Sequence, residues 1–330
     1  MAARITLKDL AAAAGVSLAT ASLALRNDRN ASRATCERVQ ALAREMGYRP
    51  DPVIASLAAR RFHTPGQLRH APLVFATQYS GKPSASKARY VEELGAQAQR
   101  LGYSFKHYEV GSREELARAA RRWYHQGVRG VVFGLFEEIA WVREVDLSAF
   151  SLVFLGGSAR APLLNTVKAD VARGVELAWV HAGAGRIGVV VHRYDPPLRD
   201  DQAREGMARS LLAALPARRR VPIHLESYRR SFEEQTSRLS EWIARHKPER
   251  ILGQPALAPL LDDERRARLV LTMQNPAPRF PGAVEPMEIL ARRAVEWLDT
   301  AVRHGERGLP ERPVELLVPP IWADAGSADL

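Results

Sequence analysis

Residues 5–22 run Ile-Thr-Leu-Lys-Asp-Leu-Ala-Ala-Ala-Ala-Gly-Val-Ser-Leu-Ala-Thr-Ala-Ser, and this stretch decides the architecture of the N-terminus. Thr6 can cap a first helix, which Gly15 ends. Ser17 can cap a second helix that continues to Leu25. Two short helices joined at a glycine form a tight corner, so the stretch predicts a helix-turn-helix.

A third helix is predicted from Ser32 to Met46, and the prolines at 50 and 52 end it. Pro52 suits the first turn of another helix, which is so short that it is marginal in water without a partner. The predicted organisation is a helix-turn-helix domain at 1–50, a hinge helix at 51–63 and a linker at 64–71. A three-helix protein-binding module is the alternative for the first of these.

From Pro72 onward, short apolar runs alternate with amphipathic stretches of helical period. The predicted strands are 73–78, 103–108, 128–133, 152–155, 186–191, 222–225, 250–252, 269–272 and 314–317. Strands separated by helices predict parallel sheets that are covered on both faces. Two successive runs of this pattern predict two doubly wound subdomains within an α/β domain at 72–330. We place the N-subdomain at 72–158 plus 282–308, and the C-subdomain at 159–281 plus 309–330.

Composition and charge narrow the class of protein. The 330 residues are 46% hydrophobic and 26% charged, which is the balance of a soluble globular protein and excludes disorder. No apolar run approaches the roughly 18 residues of a membrane span, and Lys8 and Asp9 interrupt any signal-peptide core. A single cysteine, Cys36, predicts a reducing cytoplasm. The net charge of +11 favours a polyanionic partner, with nucleic acid ahead of membrane.

The N-terminal motif resembles the lactose/purine-repressor (LacI) family. The resemblance covers residues 4–61 and rests on residues 5–22, Ser32-Arg-Ala-Thr, Gly47-Tyr-Arg-Pro and Ala55-Ser-Leu-Ala. It implies a homodimeric, cytoplasmic and nucleoid-associated regulator of transcription that binds a palindromic double-stranded DNA operator. It also implies an effector domain that is similar to the periplasmic binding proteins. A small molecule bound to this domain would change the affinity for DNA. The family favours repression, although activation stays open.

The resemblance and the physical chemistry together select the residues that contact DNA. The helix capped by Ser17 would lie in the major groove, while hydroxyls and helix starts suit phosphates. Aliphatic side chains on that helix can read thymine methyl groups. In the family, the leucine at the place of Leu57 wedges into the minor groove. The expected DNA contacts are Thr6, Ser17, Leu18, Ala19, Thr20, Ser22, Leu23, Arg26, Asn30, Thr35 and Leu57. Packing inside the small domain is the alternative for Leu18 and Leu23, and the apolar face of a short helix is the alternative for Leu57.

Ligands of doubly wound folds bind beyond the carboxyl ends of the strands. The residues expected to line an effector cleft are Gln78, Tyr79, Phe136, Ser158, Arg204, Gln254 and Gln274. Sugar-binding relatives carry an Asn-Asp pair at the place of Gln254-Pro255 and an arginine at the place of Ala203, so the kind of ligand stays open. Ordinary loop or core polarity is the alternative for each of these residues.

Signals of catalysis are weak. The sequence Gly183-Ala-Gly-Arg-Ile-Gly matches a dinucleotide fingerprint, but a predicted helix precedes it and a strand follows, which is the wrong order. Gly156-Gly-Ser lacks the second glycine of a nucleophile elbow, and no phosphate-binding loop occurs. We therefore expect no enzymatic activity, cofactor or metal. A free small-molecule-binding protein and an enzyme on a doubly wound fold are the alternative functions.

Overall fold

The computed structural model describes residues 7–25, 31–46, 48, 71–78, 85–136, 140–156, 163–276 and 279–326. The chain divides into two compact units, Met1–Gly66 and Gln67–Leu330.

The described residues of the first unit form three helices: α1 (Leu7–Ala13), α2 (Leu18–Leu25) and α3 (Arg33–Glu45). Gly15 follows α1 with a φ of +64°, a conformation that favours glycine, and thereby turns the chain toward α2. Small and aliphatic side chains fill the core between the helices, among them Leu10, Ala24, Cys36 and Val39. The predicted helix-turn-helix is confirmed, while Thr6 and Gly47 lie outside the described residues.

Helices α1 and α2 meet at a steep angle. No single helix in the described part of the chain is long and apolar enough to cross a bilayer, and α1 and α2 pass that test only as a pair bent by 98°. This bend falls within the roughly 90–120° of a helix-turn-helix.

The second unit alternates strands and helices. In chain order its elements are β1 (Pro72–Gln78), α4 (Ala85–Arg100), β2 (Ser104–Val110), α5 (Arg113–His125), β3 (Gly130–Gly134), a 3-10 turn (Ala140–Glu144), β4 (Ser151–Leu155), β5 (Thr166–Ala169), α6 (Val171–Ala182), β6 (Ile187–Arg193), α7 (Arg199–Ala213), β7 (His224–Ser227), α8 (Phe232–His246), β8 (Arg250–Gly253), α9 (Asp263–Arg266), β9 (Leu269–Gln274), β10 (Gly282–Val284), α10 (Met287–His304), β11 (Glu315–Val318) and β12 (Ile321–Ala323). Two further 3-10 turns lie at Ala217–Arg219 and Pro255–Leu260.

These strands form two six-stranded sheets. The first has the order β11-β5-β4-β3-β1-β2 and is parallel throughout. The second has the order β12-β10-β9-β8-β6-β7, and within it only the β12–β10 pair is antiparallel. Two doubly wound subdomains are therefore confirmed.

Helices cover both faces of each sheet, as the near-continuous apolar strands require. On the first sheet, α4 and α10 pack on one face around Phe75 and Leu298, and α5 packs on the other around Phe133 and Trp123. On the second sheet, α8 covers one face, while α6 and α7 cover the other. Each subdomain thus has two hydrophobic layers, one on each face of its sheet.

The subdomain boundaries differ from the predicted ones. The chain passes between the sheets after β5, after β10 and after β11, instead of after residues 158, 281 and 308. Residues 166–169 and 315–318 therefore belong to the first sheet, and 282–284 belong to the second. The prediction missed β5, β10 and β12, which have only three or four residues each, too few for a strand pattern to be recognised.

Candidate DNA-binding surface and effector cleft

The start of α2 is held by a hydroxyl cap. The Ser17 Oγ accepts the backbone N–H of Thr20 at 3.0 Å and lies 2.8 Å from the Thr20 Oγ1. The start of α3 repeats the arrangement, because the Ser32 Oγ accepts the N–H of Thr35 at 3.2 Å and lies 2.8 Å from its hydroxyl. Both helices therefore present ordered hydroxyls at their positive ends, where a phosphate is stabilised.

The first turn of α2 faces solvent. The Leu18 side chain is 52% exposed and Ala19 is also exposed, whereas Ala21 is fully buried. Thr20, Ser22 and Leu23 are half-buried. Leu18 is therefore available to a partner instead of packing inside the domain, and Leu23 divides its surface between core and solvent.

One residue that sequence analysis missed fixes the other end of α2. The Gln40 side-chain amide on α3 donates to the carbonyl of Ala24 at 3.0 Å, which satisfies a backbone acceptor in the last turn of α2. Of the predicted DNA contacts, Thr6, Arg26, Asn30 and Leu57 lie outside the described residues, so their roles stay predictions.

The residues predicted to contact ligand at the strand ends of the second unit lie in different environments. Gln78 ends β1 and is half-buried. Phe136 is fully buried in the hydrophobic core with its ring 5.8 Å from that of Phe133, and its ligand contact stays a prediction. Tyr79 and Ser158 lie outside the described residues.

The two predicted glutamines are committed to the backbone. The Gln254 side-chain oxygen accepts the N–H of His192 at 2.9 Å, and its amide donates to the carbonyl of the same residue at 2.7 Å. The Gln274 amide donates to the carbonyl of Phe280 at 2.7 Å. Both side chains are buried, and a buried amide needs such partners. In the structure both side chains therefore tie strand ends to neighbouring segments of the chain, and their ligand contacts stay predictions.

Two ion pairs join the first turn of α7 to the first sheet. The Lys168 ammonium on β5 donates to the Asp200 carboxylate at 2.9 Å, with 9% and 15% of the two side chains exposed. The Arg199 guanidinium binds both oxygens of Glu315 on β11, and one of these bonds measures 2.9 Å. We call these four residues the charge quartet. Arg199 and Asp200 carry opposite charges, and so do their partners Glu315 and Lys168. Exchanging the two partners would therefore bring like charges together.

A second link joins the two subdomains. The Tyr90 hydroxyl on α4 donates to the Glu285 carboxylate, just after β10, at 2.9 Å. Burial raises the pKa of Glu285 above its usual value, and the charge of Asp200 adds to that rise, while Arg204 opposes it. Nearby, the Asn275 amide donates to the Ser86 hydroxyl at 2.7 Å. No sequence motif pointed to Tyr90 or Glu285.

Arg204 lies on the second turn of α7, and 16% of its side chain is exposed. One of its terminal nitrogens is 3.5 Å from the Asp201 carboxylate. The other Asp201 oxygen accepts the backbone N–H groups of Tyr194 and Leu198, both at 3.0 Å. The Tyr194 and Tyr228 rings are 5.0 Å apart, and burial raises the pKa of Tyr228 to about 12.

The enzyme-like motif occupies a loop. Gly183 caps the end of α6 with a φ of 82°, and the strand β6 follows at Ile187. The fingerprint therefore does not open a helix, as the sequence order predicted. Within the described residues, no group of three histidine, cysteine or acidic side chains is placed to hold a metal ion.

Comparison with known proteins assigns the N-terminal unit. Residues 6–51 match the family model of bacterial regulatory proteins, lacI family. The chain is 47% identical over 66 residues to the sucrose operon repressor of Klebsiella pneumoniae, a match that covers 19% of this chain and 20% of that protein. It is 34% identical over 130 residues to the HTH-type transcriptional regulator Rv3575c of Mycobacterium tuberculosis, covering 39% and 35%. The matches thus span a fifth and about a third of these relatives.

Two solved structures show the fold of the whole chain. The lac repressor dimer bound to operator and the anti-inducer ONPF aligns over 99% of both chains with a TM-score of 0.56 and 18% identity. The complex of the transcriptional regulator CelR with cellobiose aligns over 98% of this chain and all of that one, with a TM-score of 0.55 and 17% identity. The N-terminal segment at residues 6–51 is therefore similar to the lacI family of bacterial regulatory proteins, and the chain shares the fold of these two structures.

Proposed function

We propose that the protein is a sequence-specific DNA-binding regulator of transcription, most consistent with a repressor, that binds a palindromic operator as a homodimer. The observation that carries this proposal is the capped α2 with its exposed first turn, inside the segment that matches the family model. A helix with hydroxyls and small side chains at its start fits the major groove, where its N-terminal residues meet base edges. Relatives named as repressors support the sign of the regulation.

The second unit is proposed to bind a small effector between its subdomains. Three chain crossings and the links at the charge quartet and at Tyr90 connect the subdomains, so a ligand in the cleft can change how they sit against each other. We propose that this change alters operator affinity through residues 51–63, the predicted hinge helix in which Leu57 would enter the minor groove. The protein would act in the cytoplasm, associated with the nucleoid.

Removal of residues 1–66 tests the division of labour. We expect the shortened chain to lose all operator binding in a gel shift, because the helix-turn-helix is gone. We expect it to keep its fold and to sediment as a dimer, since the second unit has its own hydrophobic layers. Retention of specific DNA binding, or a monomer in sedimentation, would contradict the proposal.

A further inference from the structure

A cavity of about 370 Å³ lies in the second subdomain, beside the last turns of α8 and the start of β7. Its volume falls within the roughly 300–1,000 Å³ of small-molecule sites. We call it the α8 pocket. The residues that line it are His224, Arg238, Glu241, Trp242, Arg245 and His246.

The α8 pocket lies at the amino ends of the strands of the second sheet. His224 is the first residue of β7, and α8 ends at His246, before β8 begins. Arg186, just before β6, donates to the carbonyl of His246 at 2.9 Å, and the Trp242 indole donates to the carbonyl of Pro222 at 3.0 Å. Ligands of doubly wound folds bind at the carboxyl ends of the strands, so this pocket is separate from the proposed effector cleft.

A buried carboxylate fixes one wall of the pocket. The Glu226 side chain on β7 is 1% exposed and accepts a hydrogen bond from the Arg230 guanidinium at 2.7 Å. Its other oxygen lies 3.1 Å from the His224 Nε2 and 3.7 Å from the Nε of Arg238. The positions of His224 and Arg238 are therefore set within the protein before any ligand arrives.

The two arginines of the pocket have unused hydrogen-bonding capacity. Arg238 turns its Nε toward Glu226, and among the described residues its terminal nitrogens have no hydrogen-bond partner. Within the same part of the chain, the Arg245 side chain has neither a hydrogen bond nor an ion pair. The two residues are seven positions apart on α8, so they lie on one face, two turns from each other.

The charge of the lining selects the ligand. Glu241 is the one acidic residue among the described residues that line the pocket, and it faces two arginines. A guanidinium fork matches the oxygens of a phosphate group and can bind two of them at once. The excess of positive charge therefore favours an oxyanion, while Glu241 reduces the affinity for it.

We propose that the α8 pocket is a second small-molecule site, which binds the phosphate group of a small phosphorylated solute between Arg238 and Arg245. The volume of the cavity suits a small solute. The proposal stands apart from operator binding and from the effector cleft, because its residues lie at the opposite end of the second sheet.

The test is calorimetric titration of the full-length protein at one fixed ionic strength. Glycerol 3-phosphate and inorganic phosphate are the probes, and glycerol is the neutral analogue. We expect at least one of the two phosphates to bind at least tenfold more tightly than glycerol. The tighter of the two shows whether the pocket prefers an ester or the free ion. Absence of binding by both phosphates would overturn the proposal.

Three variants assign the binding to the α8 pocket. Arg245→Met should weaken the tighter phosphate about tenfold, and Glu241→Gln should strengthen it at least twofold by removing a repulsive charge. Arg293→Met is the matched control: it removes the same charge from α10 in the first subdomain, at a side chain that is 51% exposed, and should leave the affinity unchanged. Equal losses in the two methionine variants, or weaker binding by Glu241→Gln, would contradict the assignment.

Discussion

Substitution of Ala19 by Asp is expected to weaken operator binding about 100-fold or more while leaving the helical domain folded. Ala19 is exposed on the first turn of α2, so the new carboxylate would point into the groove and face the phosphates. Like-charge contact across an interface costs several kcal/mol, and each 1.4 kcal/mol is a factor of ten in affinity. The domain should stay folded, because a negative charge in the first turn of a helix interacts favourably with the helix dipole. Operator titrations at one stated salt concentration measure the loss, and circular dichroism checks the fold.

Ala41→Asp provides the matched control for this experiment. Ala41 is exposed on α3, away from both capped helix starts, and the substitution changes the net charge by the same amount. General electrostatic weakening would lower both affinities equally, whereas a groove position for α2 predicts a loss of about threefold or less for Ala41→Asp. Equal losses of affinity in the two variants would show that α2 does not lie in the DNA interface.

The second large effect concerns the charge quartet. Asp200→Asn leaves the Lys168 ammonium, which is 9% exposed, without its carboxylate. Breaking a buried pair from one side costs about 3 kcal/mol, so the free energy of unfolding of the second unit should fall by that amount. Every tryptophan of the chain lies between residues 123 and 322, inside this unit. Tryptophan fluorescence during urea unfolding therefore reports on the second unit alone.

Two controls show whether the loss of stability comes from the Lys168–Asp200 ion pair or from a general sensitivity to mutation. One is a double variant, and the other breaks an exposed ion pair. Lys168→Met combined with Asp200→Leu should recover most of the lost stability, because a buried pair replaced by apolar side chains is commonly neutral. Glu296→Gln breaks an exposed pair with Arg293 and should change stability by less than about 1 kcal/mol. If Asp200→Asn costs no more than Glu296→Gln, the quartet does not hold the subdomains together.

Much of the fold followed from local signals in the sequence. Ser17 and Ser32 cap their helices as predicted, and Gly15 ends α1, because capping chemistry is local. The alternation of long apolar strands with helices gave the two doubly wound sheets. The positions at which the chain crosses between the sheets were not predicted, because β10 and β12 are only three residues long. Their pairing also depends on strands distant in sequence.

The cleft was less accessible to sequence reasoning. Tyr90 and Glu285 are 195 positions apart, and Arg199 and Glu315 are 116 apart, so no spacing rule connects them. Gln254 was selected correctly as a polar residue at a strand end, yet its amide turns back to the chain of β6. Which polar groups remain free for a ligand depends on the hydrogen bonds of the folded state.

Selection of bound sequences from a randomised duplex pool by the full-length protein, at a stated salt concentration, tests the central claim most directly. A dimeric regulator with α2 in the major groove and Leu57 at a minor-groove wedge predicts an enriched palindrome with a flexible pyrimidine–purine step at its centre. Enrichment of a single undivided half-site, or of no sequence at all, would contradict it.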